Sequence, residues 1–180
     1  MISTRIRFAP HTPSRRARLA VAAALSVGAM AASTAASYAA ADVTPITGLV
    51  YGIHGMCLDD TASGTADGTP VQIYNCNNGG NQQWTLTNPQ FGANTTVTVF
   101  GKCLDAQAGA TANGTPVVLS TCTGAADQQW TLEYAGTWVN VKSGTCLDDT
   151  AYGGSGTALQ IWGCNSGQNQ LWHAAGLPTG

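Results

Sequence analysis

The sequence predicts an all-β fold built from three homologous repeats. Residues 55–86 reappear without a gap as residues 101–132, with 17 of 32 positions identical, and a shorter third copy begins at Gly144. Within each copy, apolar and polar residues alternate with the period of two that is typical of half-buried strands. No window has the sustained spacing of an amphipathic helix. Because each copy offers only a few short strands, the three must close around a shared axis to bury their apolar faces.

The first repeat contains a predicted turn followed by a predicted strand. Residues 69–74 alternate, which predicts a strand whose polar face carries Gln72 and Tyr74. The dipeptide Asp67-Gly68 just before this strand is a strong signal for a hairpin turn. The second repeat has an Asn-Gly dipeptide at the same place, and the third has a glycine-rich segment.

Composition and charge exclude several classes of function. Only 9% of the 180 residues are charged, against about 25% in a typical protein. All arginines lie before residue 19, and the rest of the chain has two lysines against nine acidic residues. The chain therefore lacks the basic patch that nucleic-acid binding requires. Its tryptophans and regular apolar pattern also argue against disorder.

Residues 1–41 are predicted to be a secretory signal peptide. A basic segment precedes twelve apolar residues, and small residues follow up to Ala41. This is the arrangement of signal peptides, and the apolar segment is too short to cross a bilayer. We expect cleavage after Ala41, with Ala39 and Ala40 as alternatives, and a secreted, extracellular protein. General or twin-arginine export both stay open.

One domain is expected in the rest of the chain. We expect a short linker at 42–45, the domain at 46–173 and a C-terminal tail at 174–180. Within the domain the three repeats are expected at about 46–90, 91–135 and 136–173. No segment remains for a separate catalytic domain.

Each repeat contains two of the six cysteines, and the two cysteines of a repeat are 18 or 19 residues apart. Six cysteines allow fifteen pairings, but the threefold repetition favours one bridge within each repeat. The expected bridges are Cys57–Cys76, Cys103–Cys122 and Cys146–Cys164. A zinc site is the alternative, but the sequence has no C-x-x-C motif and no histidine that recurs with the repeat, so no metal is expected.

Two further motifs recur in register with the cysteine pairs. Each repeat opens with Cys-Leu-Asp and closes with a Gln-x-Trp tripeptide, at residues 82–84, 128–130 and 170–172. Together they resemble the ricin B-type lectin domain, and within it the bacterial carbohydrate-binding modules. The resemblance implies a β-trefoil with pseudo-threefold symmetry, in which a six-stranded barrel is capped by three hairpins. It places six side chains in the core: Trp84, Trp130, Trp172, Leu58, Leu104 and Leu147.

The resemblance also implies one shallow sugar pocket per repeat, built from an aspartate, a glutamine, an aromatic residue and an Asn-Gln pair. The first repeat has all five residues: Asp59, Gln72, Tyr74, Asn81 and Gln82. The third repeat has all five as well: Asp148, Gln160, Trp162, Asn169 and Gln170. In the second repeat, which keeps Asp105 and Gln128, three positions differ: Val118, Ser120 and Asp127. We therefore expect the second repeat to be silent.

These residue types suit a sugar on chemical grounds. A carboxylate can accept hydrogen bonds from two neighbouring hydroxyls, amides both donate and accept, and an aromatic ring covers a C–H face. Aspartates that only close turns are the alternative, and this is the expectation for Asp105. Asp60 and Asp149 are expected to be solvated loop acids, or minor helpers of the sites.

The sequence thus predicts a secreted, monomeric module that binds a polysaccharide or glycan of the galactose or xylan type. No enzymatic activity, cofactor, nucleic-acid partner or membrane partner is expected. Glycoside hydrolysis needs two carboxylates that flank one cleft, whereas these acids recur once per repeat, and His54 and His173 have no paired nucleophile. The alternative is a trefoil interaction or inhibitor protein that acts through its loops.

Overall fold

A computed structural model of the protein describes residues 43–177, so the predicted signal peptide lies outside the described residues. Within this range no helix is long and apolar enough to cross a membrane. The strands are β1 (Ile46–Gly48), β2 (Val50–Tyr51), β3 (Cys57–Asp60), β4 (Val71–Tyr74), β5 (Trp84–Leu86), β6 (Asn94–Val99), β7 (Lys102–Ala106), β8 (Thr115–Thr121), β9 (Gln129–Leu132), β10 (Trp138–Asn140), β11 (Cys146–Asp149), β12 (Thr157–Trp162) and β13 (His173–Ala174). Short 3-10 turns lie at Ile53–Gly55, Thr61–Ser63, Gly80–Gln82, Gln107–Gly109, Ala126–Gln128, Thr150–Tyr152 and Gln168–Gln170.

The first and last strands of the repeats pair in a closed ring. β1 pairs with β5, β5 with β6, β6 with β9 and β9 with β10, all antiparallel. The ring continues through a bridge between Thr137 and Leu171 and returns to the first repeat where β13 pairs with β2, with His173 opposite Tyr51. This pairing closes a six-stranded barrel, and the fold is the β-trefoil that the sequence predicts.

Three hairpins cap the barrel: β3–β4, β7–β8 and β11–β12. Their registers are equivalent, with Asp59 opposite Gln72, Asp105 opposite Val118, and Asp148 opposite Gln160. In each repeat the hairpin therefore brings the aspartate of Cys-Leu-Asp beside the position of the predicted glutamine. The strand β4 has the predicted alternation, with buried Val71 and Ile73 and more exposed Gln72 and Tyr74.

The predicted turn at Asp67-Gly68 is present, but it does not close a tight hairpin. A long loop, 61–70, joins β3 to β4, and Gly68, with a φ of 87°, donates its N–H to the carbonyl of Leu119 (2.8 Å) in the second repeat. Equivalent bonds join Gly114 to Ile161 and Gly156 to Ile73. These turns hold neighbouring repeats together. The Asp-Gly dipeptide predicts a left-handed backbone at the glycine, but it does not predict which carbonyl accepts the glycine N–H.

The tryptophans of the Gln-x-Trp motifs lie in the core, as predicted. Trp84 and Trp130 have no exposed surface, and Trp172 is 3% exposed. Each indole N–H donates to the carbonyl of the leucine in Cys-Leu-Asp: Trp84 to Leu58 (2.9 Å), Trp130 to Leu104 (3.0 Å) and Trp172 to Leu147 (3.0 Å). The three leucines are also fully buried. The motif thus locks the end of each repeat to its hairpin, and truncating one such ring to alanine typically costs about 3–5 kcal/mol.

The structure contains the three predicted disulfide bridges, one within each repeat: Cys57–Cys76, Cys103–Cys122 and Cys146–Cys164. Each bridge joins the first residue of a Cys-Leu-Asp segment to a residue just beyond the partner strand. The bridges therefore fix both strands that carry the candidate site residues.

Candidate functional site

The carboxylate of Asp59 forms the centre of the candidate site in the first repeat. Its Oδ1 accepts a hydrogen bond from Gln72 Nε2 (2.8 Å), and its Oδ2 accepts from Asn81 Nδ2 (2.9 Å) and Gln82 Nε2 (2.8 Å). Gln72 comes from the paired strand, whereas Asn81 and Gln82 come from the 3-10 turn that precedes Trp84. The structure thus brings the four predicted polar residues into one network.

The third repeat has the same network around Asp148. Gln160 Nε2 donates to Oδ1 (2.8 Å), and Asn169 Nδ2 (2.9 Å) and Gln170 Nε2 (2.8 Å) donate to Oδ2. An ionised carboxylate offers about four lone-pair positions. Because three of them are used within the protein, one position on Oδ1 remains for a ligand.

Both aspartates are buried, although a shallow pocket that uses their carboxylates implies side chains at the surface, and that expectation is wrong. Asp59 is 1% exposed and Asp148 is 2% exposed. The reason is that the amides that donate to the carboxylate also cover it. The correction changes the chemistry of the site, since a carboxylate in this position cannot accept two ligand hydroxyls at once. Its main role is to orient the half-buried amides of Gln72 and Gln160, whose Oε1 atoms accept no hydrogen bond within the described chain.

The glutamine of each Gln-x-Trp motif is closed to a ligand, because it is buried and both hydrogens of its side-chain amide are donated within the protein. Gln82 has no exposed surface, and besides Asp59 it donates to the carbonyl of Asn75 (3.0 Å) and accepts from the N–H of Asn77 (2.8 Å). Gln170 and Gln128 make equivalent bonds in the third and second repeats. Since the second repeat keeps this arrangement without the rest of the site, the glutamine is a positioning residue.

The two predicted aromatic residues lie on the polar side of their strands. Tyr74 and Trp162 are each 40% exposed. A cleft of about 350 Å³ opens beside Trp162 and is lined by Asp148 and Gln160, a volume within the range of small-molecule sites. The third repeat thus presents a ring, an acceptor and an amide in one cleft, which suits a molecule with one apolar face and a hydroxylated edge.

The cleft is also lined by Thr150, Ala151 and Asn165, which the sequence motifs did not identify. Asn165 Oδ1 accepts the backbone N–H two residues later (2.8 Å), and Asn77 does the same in the first repeat (2.7 Å). The sequence did contain a signal for this asparagine: it directly follows the second cysteine in the first and third repeats, whereas a threonine follows that cysteine in the second repeat. This asparagine fixes the loop at the edge of each site.

The second repeat lacks the amide network. Asp105 Oδ2 accepts from Gln128 Nε2 (2.7 Å), and neither Val118 nor Ser120 supplies an amide or a ring. Burial raises the pKa of Asp105, although the bond from Gln128 opposes that effect. The predicted loss of function in this repeat thus has a visible structural counterpart.

The carboxylate of Asp127, which replaces the site asparagine in the second repeat, faces a lysine. The Lys142 ammonium group lies 3.8 Å from Asp127 and packs over the α-carbon of Gly109. Gly109 has a φ of 64° and aligns with Ser63 and Tyr152 in the other repeats. A lysine from the third repeat therefore occupies the edge of the second repeat's pocket.

Asp60 and Asp149 are fully buried, which corrects the expectation that they are solvated or assist the sites. Neither has any exposed surface, and their carboxylates receive no hydrogen bond of good geometry, although the backbone N–H of Gly64 or Gly153 lies near enough to lower the pKa in part. Burial, reinforced by the adjacent charge of Asp59 or Asp148, raises the pKa of each to about 6. The second repeat has the equally buried Ala106 at this position. Strand alternation predicts that the side chains of Asp60 and Asp149 point away from the sites. It does not predict that the protein also covers this opposite face of the strand and excludes water from it.

A second cleft, of about 320 Å³, is lined by Tyr51, Tyr134, Trp172 and His173 among others. The ring of Phe91 stacks on Tyr134, with centroids 4.5 Å apart. No carboxylate or side-chain amide lines this cleft. It offers aromatic surface without the acceptor network of the two repeat sites.

Comparison with known proteins agrees with this architecture. The ricin-type beta-trefoil lectin domain matches residues 46–174. Serine protease 1 of Rarobacter faecitabidus is 44% identical over 131 residues, which are 73% of this chain and 24% of that protein. The chain thus spans about a quarter of the length of this relative.

Two solved structures extend the comparison. The designed threefold-symmetric protein ThreeFoil has a TM-score of 0.67 at 29% identity, over 71% of this chain and 96% of its own. A non-toxic homologue of type II RIPs from Momordica charantia (bitter gourd), in complex with α-methyl-D-galactoside, has a TM-score of 0.64 at 30% identity, over 73% of this chain and 48% of its own. With the family match covering most of its length, the chain belongs to the ricin-type β-trefoil lectin domain family.

Proposed function

We propose that the protein is a secreted carbohydrate-binding module with one sugar site in the first repeat and one in the third. The observation that carries the proposal is a buried aspartate held by three side-chain amides beside a part-exposed ring, which occurs at Asp59 and at Asp148. The second repeat has lost two of the amides and the ring. The family supports a carbohydrate ligand, and the bitter gourd relative was solved with a galactoside. Ligands of the galactose and xylan types both fit the proposal.

The proposal places the protein outside the cytosol and gives it no catalytic activity. Three disulfide bridges support an oxidising compartment, because cytosolic thiols are kept reduced. The similarity to Serine protease 1 covers 24% of that protein, so its name does not bring protease activity to this chain.

We expect weak binding to single sugars and clear retention on polymers. One exposed ring and one free acceptor position per site suit a Kd near the millimolar range, about −4 kcal/mol. Two sites on one rigid domain raise the apparent affinity by about 10²-fold or more when a polymer spans both. A micromolar or lower Kd for a free monosaccharide would contradict this interpretation of the sites.

A glycan array followed by titration tests the proposal. The matched control is a chain in which both sites carry the residues of the second repeat, that is, Gln72→Val with Tyr74→Ser and Gln160→Val with Trp162→Ser. The fold already accommodates valine and serine at these positions in the second repeat. We expect the natural chain to bind galactose-type or xylan-type glycans and the fourfold variant to lose this binding. Equal glycan binding by both chains would overturn the proposed sites and favour recognition through the loops.

A further inference from the structure

Tyr152 has a left-handed backbone, with a φ of 56°. Side chains rarely adopt this region, and a bulky residue there is strained. The equivalent residues of the first and second repeats, Ser63 and Gly109, have φ angles of 55° and 64°. The conformation therefore belongs to the repeat, where glycine accepts it without steric cost, and the tyrosine is an addition specific to the third repeat.

The ring of Tyr152 gains little from packing, since it is 55% exposed. A β-carbon built on Gly167 would lie 2.6 Å from Tyr152 Oη, 2.8 Å from Asn165 Oδ1 and 2.5 Å from Asn169 Oδ1. The hydroxyl therefore rests on the loop that carries the site asparagine. The strained backbone and the exposed ring of Tyr152 are both unfavourable for folding, and no contact evidently offsets them. Strained residues of this kind cluster at functional sites.

The tyrosine also changes the surroundings of the site. Asn169 is 4% exposed and its Oδ1 is buried without a hydrogen-bond partner, whereas Asn81 in the first repeat is half-buried. Leaving an acceptor unpaired is a further cost. In the third repeat, therefore, an unpaired buried acceptor lies on the same side of Gly167 as the tyrosine hydroxyl.

The position of Tyr152 is at the edge of the third repeat's cleft. Its sequence neighbour Ala151 lines the cleft that contains Trp162, and so does Asn165, whose Oδ1 lies beside Gly167 as Tyr152 Oη does. The cleft therefore has one aromatic ring inside it and a second at its rim. In the first repeat the equivalent rim residue is Ser63, which offers no ring.

We propose that Tyr152 forms a second stacking subsite, so that the third repeat binds an oligosaccharide of at least two units while the first repeat binds a single unit. This rests on the proposed function of the repeat sites. One sugar stacks on Trp162 and bonds to the Asp148 network, and the next unit lays its C–H face on Tyr152. An aromatic contact of this kind raises affinity about threefold to tenfold.

The test measures how affinity depends on the length of the sugar chain. In a chain whose first site carries Gln72→Val and Tyr74→Ser, the third site is titrated with xylose and xylotriose, and with galactose and galactotriose. The readout is the ratio of the trisaccharide to the monosaccharide association constant. Tyr152→Ser, which installs the residue of the first repeat, is compared with Tyr134→Ser, an exposed tyrosine in the turn between β9 and β10.

We expect Tyr152→Ser to lower this ratio about threefold to tenfold and Tyr134→Ser to keep it. In the reciprocal chain, with the third site inactivated, Ser63→Tyr should raise the ratio at the first site. Tyr152→Gly should melt at the same or a higher temperature, because it releases the backbone strain. An unchanged ratio in a folded Tyr152→Ser chain that still binds sugar would overturn this inference alone. Failure of the parent chain to bind any of the four probes would overturn the proposed function with it.

Discussion

The ammonium group of Lys142 lies 3.8 Å from the carboxylate of Asp127. The lysine comes from the third repeat and reaches over Gly109, at the position where Ser63 and Tyr152 carry side chains in the other repeats. Because Asp127 replaces the site asparagine, an ion pair between repeats stands where the other repeats have an amide that donates to the aspartate. The pair is part-exposed, so it contributes less than about 1 kcal/mol to stability. Its clearer consequence is that a cation from the third repeat lies beside Asp127, at the edge of the second repeat's site position.

The second repeat is therefore expected to take no part in sugar binding. Asp105→Asn should leave the affinity for the polymer and the number of bound sugars unchanged, because no ring or second amide accompanies this residue. Calorimetric titration of the natural chain should count two monosaccharides per chain. A count of three, or weaker binding in Asp105→Asn, would show that Val118, Ser120 and Asp127 do not disable the repeat.

The buried aspartates should support folding as well as binding. Asp59→Ala removes the acceptor of three amides, and a lost hydrogen bond to a charged group costs about 1.5–3 kcal/mol. We expect this change to abolish binding at the first site and to lower the free energy of unfolding by at least about 2 kcal/mol. Urea denaturation measures the second effect.

The control for that experiment is the pair Gln72→Val and Tyr74→Ser. Both side chains are partly exposed, and the second repeat folds with Val118 and Ser120 in their places. This pair should abolish binding at the first site with little loss of stability. If Asp59→Ala unfolds at the same urea concentration as the natural chain, the network around Asp59 is not structural.

Much of the fold could be predicted because it depends on short motifs that repeat. The repetition of the cysteine pairs predicted the three bridges, and the family resemblance carried by Gln-x-Trp predicted that the tryptophans lie in the core, since each motif fixes contacts within one repeat. The Asp67-Gly68 dipeptide was less informative. It predicts a left-handed turn correctly, but its partner Leu119 lies in another repeat, and such a contact leaves no local trace in the sequence.

The sequence predicted that the candidate site residues lie together, but not that the aspartates are buried. Strand alternation places Gln72 beside Asp59, yet exposure depends on which side chains from distant loops fold over the strand. Asp59 and Asp60 are both buried, one beneath the site amides and the other on the opposite side of β3. Composition alone favours solvated acids at both positions, because unpaired buried carboxylates are rare.

Each disulfide bridge should stabilise its own repeat. The chain-entropy model gives about 3 kcal/mol for loops of this length. Replacing Cys103 and Cys122 with alanine should therefore lower the free energy of unfolding by up to about 3 kcal/mol, while glycan binding at the other two repeats persists. Peptide mapping without reduction tests the pairing itself, and a bridge between two repeats would contradict it.

Stability should fall as the pH rises through the range in which Asp60 and Asp149 titrate. Their pKa in the folded protein is about 6, because burial and the adjacent carboxylate disfavour the charge, against an ordinary value of 3.8. Between these values the folded chain holds more protons than the unfolded chain, so the free energy of unfolding decreases with pH. The stabilisation is complete below the ordinary pKa and is lost as the pH rises through about 6, at a cost of about 2–3 kcal/mol per residue.

Substituting both acids with alanine should flatten this dependence and raise stability at neutral pH. Ala106 shows that the second repeat buries alanine at the same position. Urea denaturation at pH 4.5 and 7.5 compares the double variant, Asp60→Ala together with Asp149→Ala, against the natural chain. The raised pKa of Asp105 leaves a residual slope of the same sign in the double variant. Asp67→Ala is the control, because its exposed carboxylate bonds to Lys102 and has a lowered pKa, so any effect should grow at higher pH. If the double variant keeps the full slope of the natural chain, the two buried acids do not titrate in this range.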